Sequence, residues 1–203
     1  MIKNIIFDFG DIFINLDKKA THRALKKLGV SHVSDKMILV THQYEKGLIS
    51  TQEFTYFFSS ELGVSVKDLV LAWNSILLNF PEARFLFLKE LSSNKNFRLF
   101  LLSNTNQLHI SWIQHNWGLN RYLEFKNCFN KFYLSHEINL RKPSIEIYEF
   151  ILNENNLIAR ETLFIDDLKE NTEAANALGI HTWNLIPGQE DVTQLFSKKQ
   201  HLF

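Results

Sequence analysis

Four short apolar runs set the frame of this chain: Asn4–Phe9, Arg98–Ser103, Thr162–Asp166 and His181–Asn184. Each has the length of a buried strand and is too short for a buried helix, and a fifth run at Asn127–Leu134 has the same character. Helical patterns fall between them, at Phe85–Ser92, Gln107–Trp117, Ile145–Asn153 and Asn171–Leu178. This alternation predicts an α/β fold, a doubly wound parallel sheet covered by helices on both faces. The interval 17–81 breaks the rule. It holds four amphipathic segments and no strand: Ala20–Leu28, Ser34–Lys46, Thr51–Leu62 and Val66–Leu78. In the third, Phe54, Phe57, Phe58 and Leu62 recur at helical spacing, the mark of a packed face. The expected organisation is a core of residues 1–16 and 82–203, with a small helical subdomain, residues 17–81, inserted after the first strand.

Composition narrows the function. Lys and Arg number 22 against 22 Asp and Glu, so the basic excess of a nucleic-acid binder is missing. Cys128 is the only cysteine, which excludes an intrachain disulfide and argues against a cysteine metal site. Asp8 and Asp11 interrupt the first apolar stretch, which therefore lacks the pattern of a signal peptide, and no run of eighteen apolar residues exists. A cytoplasmic protein, monomer or homodimer, with neither nucleic acid nor membrane as partner, is the expectation.

In a doubly wound sheet, ligands bind beyond the carboxyl ends of the strands. Here those ends deliver Asp8, then Ser103-Asn104-Thr105, then Asp166-Asp167, while Arg141-Lys142 precedes a helix near Pro143. Singly, these are helix caps and solvated lysines. Together they suit phosphoryl transfer to an aspartate, because a carboxylate can take a phosphoryl group covalently. The obstacle is charge: at roughly 3.5 Å and an effective dielectric of about 20, each like pair repels by on the order of 5 kcal/mol. Mg²⁺ held by Asp8 and a second acid would offset this, with Lys142 adding positive charge and Ser103 gripping phosphate oxygens. With a reference pKa of about 3.9, Asp8 is expected to be ionised at neutral pH.

The chain resembles the haloacid dehalogenase-like (HAD) phosphohydrolases over nearly its whole length. The resemblance rests on FDFGD (Phe7–Asp11), LLSNT (Leu101–Thr105), RKP (Arg141–Pro143) and FIDDLKEN (Phe164–Asn171). The stretches His42–Ser50, Leu102–His109 and Tyr133–Tyr148 look most like bacterial α-D-glucose-1-phosphate phosphatase and its neighbours. The resemblance implies a Rossmann-like core with the insertion as its cap. It makes Asp8 the nucleophile and first metal ligand, Gly10 a carbonyl ligand and Asp167 a further ligand supported by Asp166. Asn171 would bond a metal-bound water, Ser103 and Asn104 would bind the phosphoryl group, Lys142 would bridge it to Asp8, and Glu45 of the cap would reach the substrate. The implied substrate is a small phosphate ester, a sugar phosphate such as glucose 1-phosphate.

Most phosphatases of the family carry a second aspartate where this chain has Gly10. General acid–base help of this kind is worth about 10²–10⁴-fold. Asp11, His42 and Glu45 are the available replacements, and an anomeric oxygen leaves comparatively well without one. Two other activities fit the motifs: a metal-independent 2-haloacid dehalogenase using the same aspartate against carbon, and a non-catalytic phosphosugar sensor. His109, His115 and His136 lack metal-ligand spacing, and Trp73, Trp112, Trp117 and Trp183 are expected in packing.

Overall fold

The structure is a computed structural model and describes residues 1–30 and 32–203. Five parallel strands form one sheet: β1 (Asn4–Phe7), β2 (Arg98–Ser103), β3 (Lys131–Leu134), β4 (Thr162–Asp166) and β5 (His181–Asn184). Their order is β3-β2-β1-β4-β5, so the first strand lies at the centre and the winding reverses beside it. The pairing sets Phe7 level with Leu101 on one side and Ile165 on the other. Alternate residues of a strand face opposite layers. Ile5, Phe7, Leu99, Leu101, Leu163 and Ile165 thus enter one apolar core, and Ile6, Phe100, Leu102 and Phe164 the other.

The first core packs against α5 (Glu82–Ser93), α6 (Gln107–Trp117) and α7 (Leu119–Lys126), and the second against α9 (Ile145–Glu154) and α10 (Lys169–Ala177). Two short helices, α8 (Ser135–Ile138) and α11 (Leu195–Lys198), complete the core. Between β1 and α5 the chain builds α1 (Ala20–Lys27), α2 (Asp35–Glu45), α3 (Thr51–Leu62) and α4 (Val66–Asn74). Serines begin three of these helices: Ser34, Ser50 and Ser65 accept the backbone N–H three residues on, satisfying otherwise orphaned donors. The four helices share their own apolar core, in which Phe54 stacks on Tyr44 at 4.2 Å and packs against Trp73 at 4.7 Å. Residues 15–17 and 76–79 run side by side where the chain enters and leaves this unit. Asn15 is bonded on both sides there: its N–H donates to Asn79 O and its carbonyl accepts Leu78 N–H, each at 3.0 Å.

Several boundaries differ from expectation. Strand β1 stops at Phe7, not Phe9, because the chain turns and Gly10 forms a bridge with Ile14. The fifth run is strand only from Lys131, since Asn127 N–H closes the end of α7 on Leu123 O. Helix α4 ends at Asn74 rather than Leu78, the last residues joining the paired linker instead. No helix among the described residues is long and apolar enough to cross a membrane.

Candidate active site

Strands β1 and β4 are neighbours and end level, so their tips bring Asp8 and Asp166-Asp167 together. One carboxylate oxygen from each of Asp8, Asp166 and Asp167 lies within 4.8 Å of the others. Lys142 enters from the loop before α9, 1% exposed, and its Nζ donates to Asp8 Oδ1 at 2.6 Å, Asp166 Oδ2 at 2.7 Å and Leu102 O at 2.8 Å. All three ammonium hydrogens are thereby engaged. The Lys142 backbone is fixed as well. Asn104 accepts its N–H and donates to its carbonyl, both at 2.9 Å. Both ends of the Asn104 side-chain amide are thus engaged with the Lys142 backbone.

The two acids of β4 have different surroundings. Asp166 is fully buried and accepts from Leu168 N, Asn171 Nδ2 and Lys142 Nζ. Asp167, its side chain largely covered, meets the ammonium of Lys18, which also lies 3.1 Å from Asp11 Oδ2. Asn171 turns its amide nitrogen to Asp166, leaving a buried Oδ1 with no partner among the described residues.

Electrostatics follow from this crowding. Burial pushes the Asp8 carboxyl up to about 7; Lys142 opposes the rise, while Asp166 and Asp167 add to it. Desolvation thus outweighs its one ammonium partner and holds the carboxyl well above the reference value of about 3.9. Burial also raises Asp167, against the pull of Lys18. Lys142 is pulled down by burial, but Asp166 and Asp8 more than reverse that, and it ends above the usual lysine range.

Beside these groups lies a cavity of about 130 Å³ between the sheet and the inserted helices. Gly10, Leu16, Glu45, Ile76, Leu77, Ser103 and His109 are among the residues that line it. Glu45 Oε2 accepts from Arg141 Nε at 2.6 Å, and the Glu45 carbonyl accepts from Ser135 Oγ at 2.5 Å. His109 bridges the two halves. Its Nε2 lies 3.4 Å from Trp73 O and its Nδ1 3.3 Å from Asn106 Nδ2, and its ring stacks on Trp73. His42 lies outside the cavity, in a cleft with Arg141 and Pro143.

At Gly10, a Cβ would come 2.6 Å from Leu16 Cδ1, so Leu16 fills the space a side chain would need. Asp11 does not swing into that space. It adopts a left-handed backbone (φ 56°), accepts Leu16 N–H on Oδ1 and pairs with Lys18. Sequence reasoning passed over Lys18, Leu16 and Ser135. Lys18 is 149 residues from Asp167, and its one local signal is a second lysine beside it.

The chain matches the model of the haloacid dehalogenase-like hydrolases over residues 5–185. Among curated proteins, D-ribitol-5-phosphate phosphatase of Bacteroides thetaiotaomicron is 27% identical over 190 residues, spanning 90% of this chain and 91% of that one. A haloacid dehalogenase family enzyme from the same organism, solved as its magnesium complex, is 35% identical with a TM-score of 0.85, covering 96% and 98% of the two chains. A hydrolase of this kind from Porphyromonas gingivalis is 28% identical with a TM-score of 0.82, covering 100% and 98%. With a match across most of its length and the four polar clusters gathered at one end of the sheet, the chain belongs to the haloacid dehalogenase-like hydrolase family.

Proposed function

We propose that this chain is a Mg²⁺-dependent phosphatase that hydrolyses a small phosphorylated metabolite, a sugar or polyol phosphate, through an aspartyl-phosphate on Asp8. One observation carries the reading: a single buried ammonium, Lys142, is shared by Asp8 and Asp166, with Asp167 beside them. The donors suit a hard divalent cation, being all oxygens, and the orphaned Asn171 Oδ1 is placed for a bound water. Asp8, Asp167 and the Gly10 carbonyl would hold the ion, with Asp166 orienting Lys142 and Asn171. When bound, Mg²⁺ supplies the positive charge that lets a dianionic ester approach a carboxylate. Residues 17–81 act as the cap that closes over the cavity and excludes bulk water.

In the first step an Asp8 oxygen attacks phosphorus and the bond to the ester oxygen breaks. The alkoxide leaves as the alcohol, taking its proton from cavity water, since Gly10 carries no acid and Leu16 occupies the space. A second water then attacks phosphorus and the bond to Asp8 breaks; the proton this water loses goes to the hydroxide left by the first step, giving inorganic phosphate and restoring the Asp8 carboxylate. Lys142 keeps Asp8 oriented throughout, and Ser103, which lines the cavity, would bond the phosphoryl group. The small cavity favours a compact leaving group, and a related phosphatase acts on D-ribitol 5-phosphate.

The test is phosphate release from a panel of sugar and polyol phosphates. Turnover with Mg²⁺, its loss in EDTA and its loss in Asp8→Asn are expected. Halide release from a 2-haloacid in EDTA would instead make the chain a dehalogenase, and tight binding without phosphate release would make it a sensor.

A further inference from the structure

We propose that Lys18 is a positioning residue that sets how tightly the centre holds its divalent cation, acting through Asp167. The inference rests on the cation reading above and extends it to a residue of the linker into the inserted helices. Four carboxylates converge here: Asp8, Asp11, Asp166 and Asp167. Two ammonium groups answer them, Lys142 inside and Lys18 at the mouth. With all four ionised, the state a bound cation favours, the surplus of two negative charges is what one divalent cation neutralises.

The two lysines are not equivalent. Lys142 is enclosed and has every hydrogen committed. Lys18 has a half-exposed side chain (49%), and it rests on Asp167, one of the oxygens the cation needs. Binding the ion therefore means sharing Asp167 between Lys18 and the ion, two positive charges on one carboxylate. At about 5 Å, even with the dielectric of water, a unit charge disfavours a divalent ion by roughly ten-fold. Asp11 is the counterweight. Its carboxylate, held by Leu16 N–H, gives Lys18 a second anionic partner at 3.1 Å. Asn tolerates the left-handed backbone at this position and keeps an oxygen for Leu16, so Asp11→Asn removes the charge without rebuilding the loop.

Calorimetric titration with MgCl₂ alone tests this in wild type, Lys18→Met and Asp11→Asn. Lys18→Met is expected to bind Mg²⁺ roughly ten-fold more tightly. Asp11→Asn, which leaves Lys18 wholly to Asp167, is expected to bind several-fold more weakly. The gain in Lys18→Met should shrink between about 0.01 M and about 1 M NaCl, because the charge is at the mouth and screened. Unchanged or weaker binding in Lys18→Met, with wild type binding normally, overturns the inference alone. No binding by wild type overturns it together with the cation reading. Damage to the fold would weaken both variants, so opposite signs are the signature of a charge effect.

Discussion

Gly10 and Leu16 form a matched pair. A methyl group at position 10 would press on Leu16 Cδ1 at 2.6 Å, against the far end of a side chain rather than backbone. Gly10→Ala is therefore expected to cost about 1–3 kcal/mol, the usual range for overpacking. In a Leu16→Ala background the same change should cost less than about 1 kcal/mol, a coupling that urea unfolding of all four proteins would measure. Additive costs would mean Leu16 is not what keeps position 10 bare. The pair also marks the limit of sequence reading at this scale. The missing acid at Gly10 is visible in one line of residues, but that Leu16 folds back over it, and that Lys18 returns to Asp167, depends on the loop after β1 bending at Asp11. Asp8, Asp166, Asp167 and Lys142 were legible because each sits at a strand or loop end, where the topology leaves little choice of direction.

Two contacts carry the elements on either side of the cavity. Gly47, just past α2 in a left-handed conformation (φ 64°), lies so close to the carbonyl of His136 that any Cβ would collide with backbone. Unlike the Gly10 contact, this one cannot yield by rotating a side chain. Gly47→Ala should push α2 off α8, breaking the bonds from Ser135 Oγ to Glu45 O and from Asn139 Nδ2 to Lys46 O. Expected are a loss above about 3 kcal/mol in urea unfolding and a raised KM, with kcat less affected. Near-wild-type stability would show that the two units separate freely here. His109 makes the opposite contact. Burial, and nearby His136, depress its ring to about 4. Trp73 O can only accept, so Nε2 carries the hydrogen, and protonating Nδ1 would set it against the Asn106 amide N–H. Between about pH 6.5 and 4 the unfolded chain thus binds the extra proton, and stability must fall as pH falls. The full window is worth on the order of 3 kcal/mol. His109→Gln should flatten this acid slope in pH-dependent urea midpoints, and an unchanged slope would count against the burial account. Helices of this unit were readable from amphipathic spacing, as in Phe54, Phe57, Phe58 and Leu62, and Ser34, Ser50 and Ser65 cap three of them. Helix α7 was not, because its apolar residues run into the strand-like stretch after Asn127, and only the turn on Leu123 O separates them.

At the scale of the molecule, the central strand is the first one made, and the residues that meet at its tip come from across the chain: Lys142 is 134 positions from Asp8, and Asp167 lies 149 from Lys18. The centre therefore exists only in the folded chain, and whatever binds it stabilises the whole. The unfolded chain has scattered carboxylates with no comparable affinity for Mg²⁺. At a free concentration about one hundred times its dissociation constant, a ligand adds about 2.7 kcal/mol. For a domain of this size, each kcal/mol moves Tm by roughly 2–4 °C, so a rise of about 5–10 °C over the EDTA-treated protein is expected. Asp167→Asn should melt close to wild type in EDTA, since burial already makes the Asp167 carboxyl costly to ionise and its partner Lys18 is half-exposed. It should gain almost nothing from Mg²⁺. NaCl at matched ionic strength should move neither protein appreciably, because screening does not replace a coordinated ion. A wild-type Tm that Mg²⁺ leaves unmoved, or an Asp167→Asn protein that gains as much as wild type, would break the link between this acidic cluster and a divalent cation, and the phosphatase chemistry built on it would have to find its charge elsewhere.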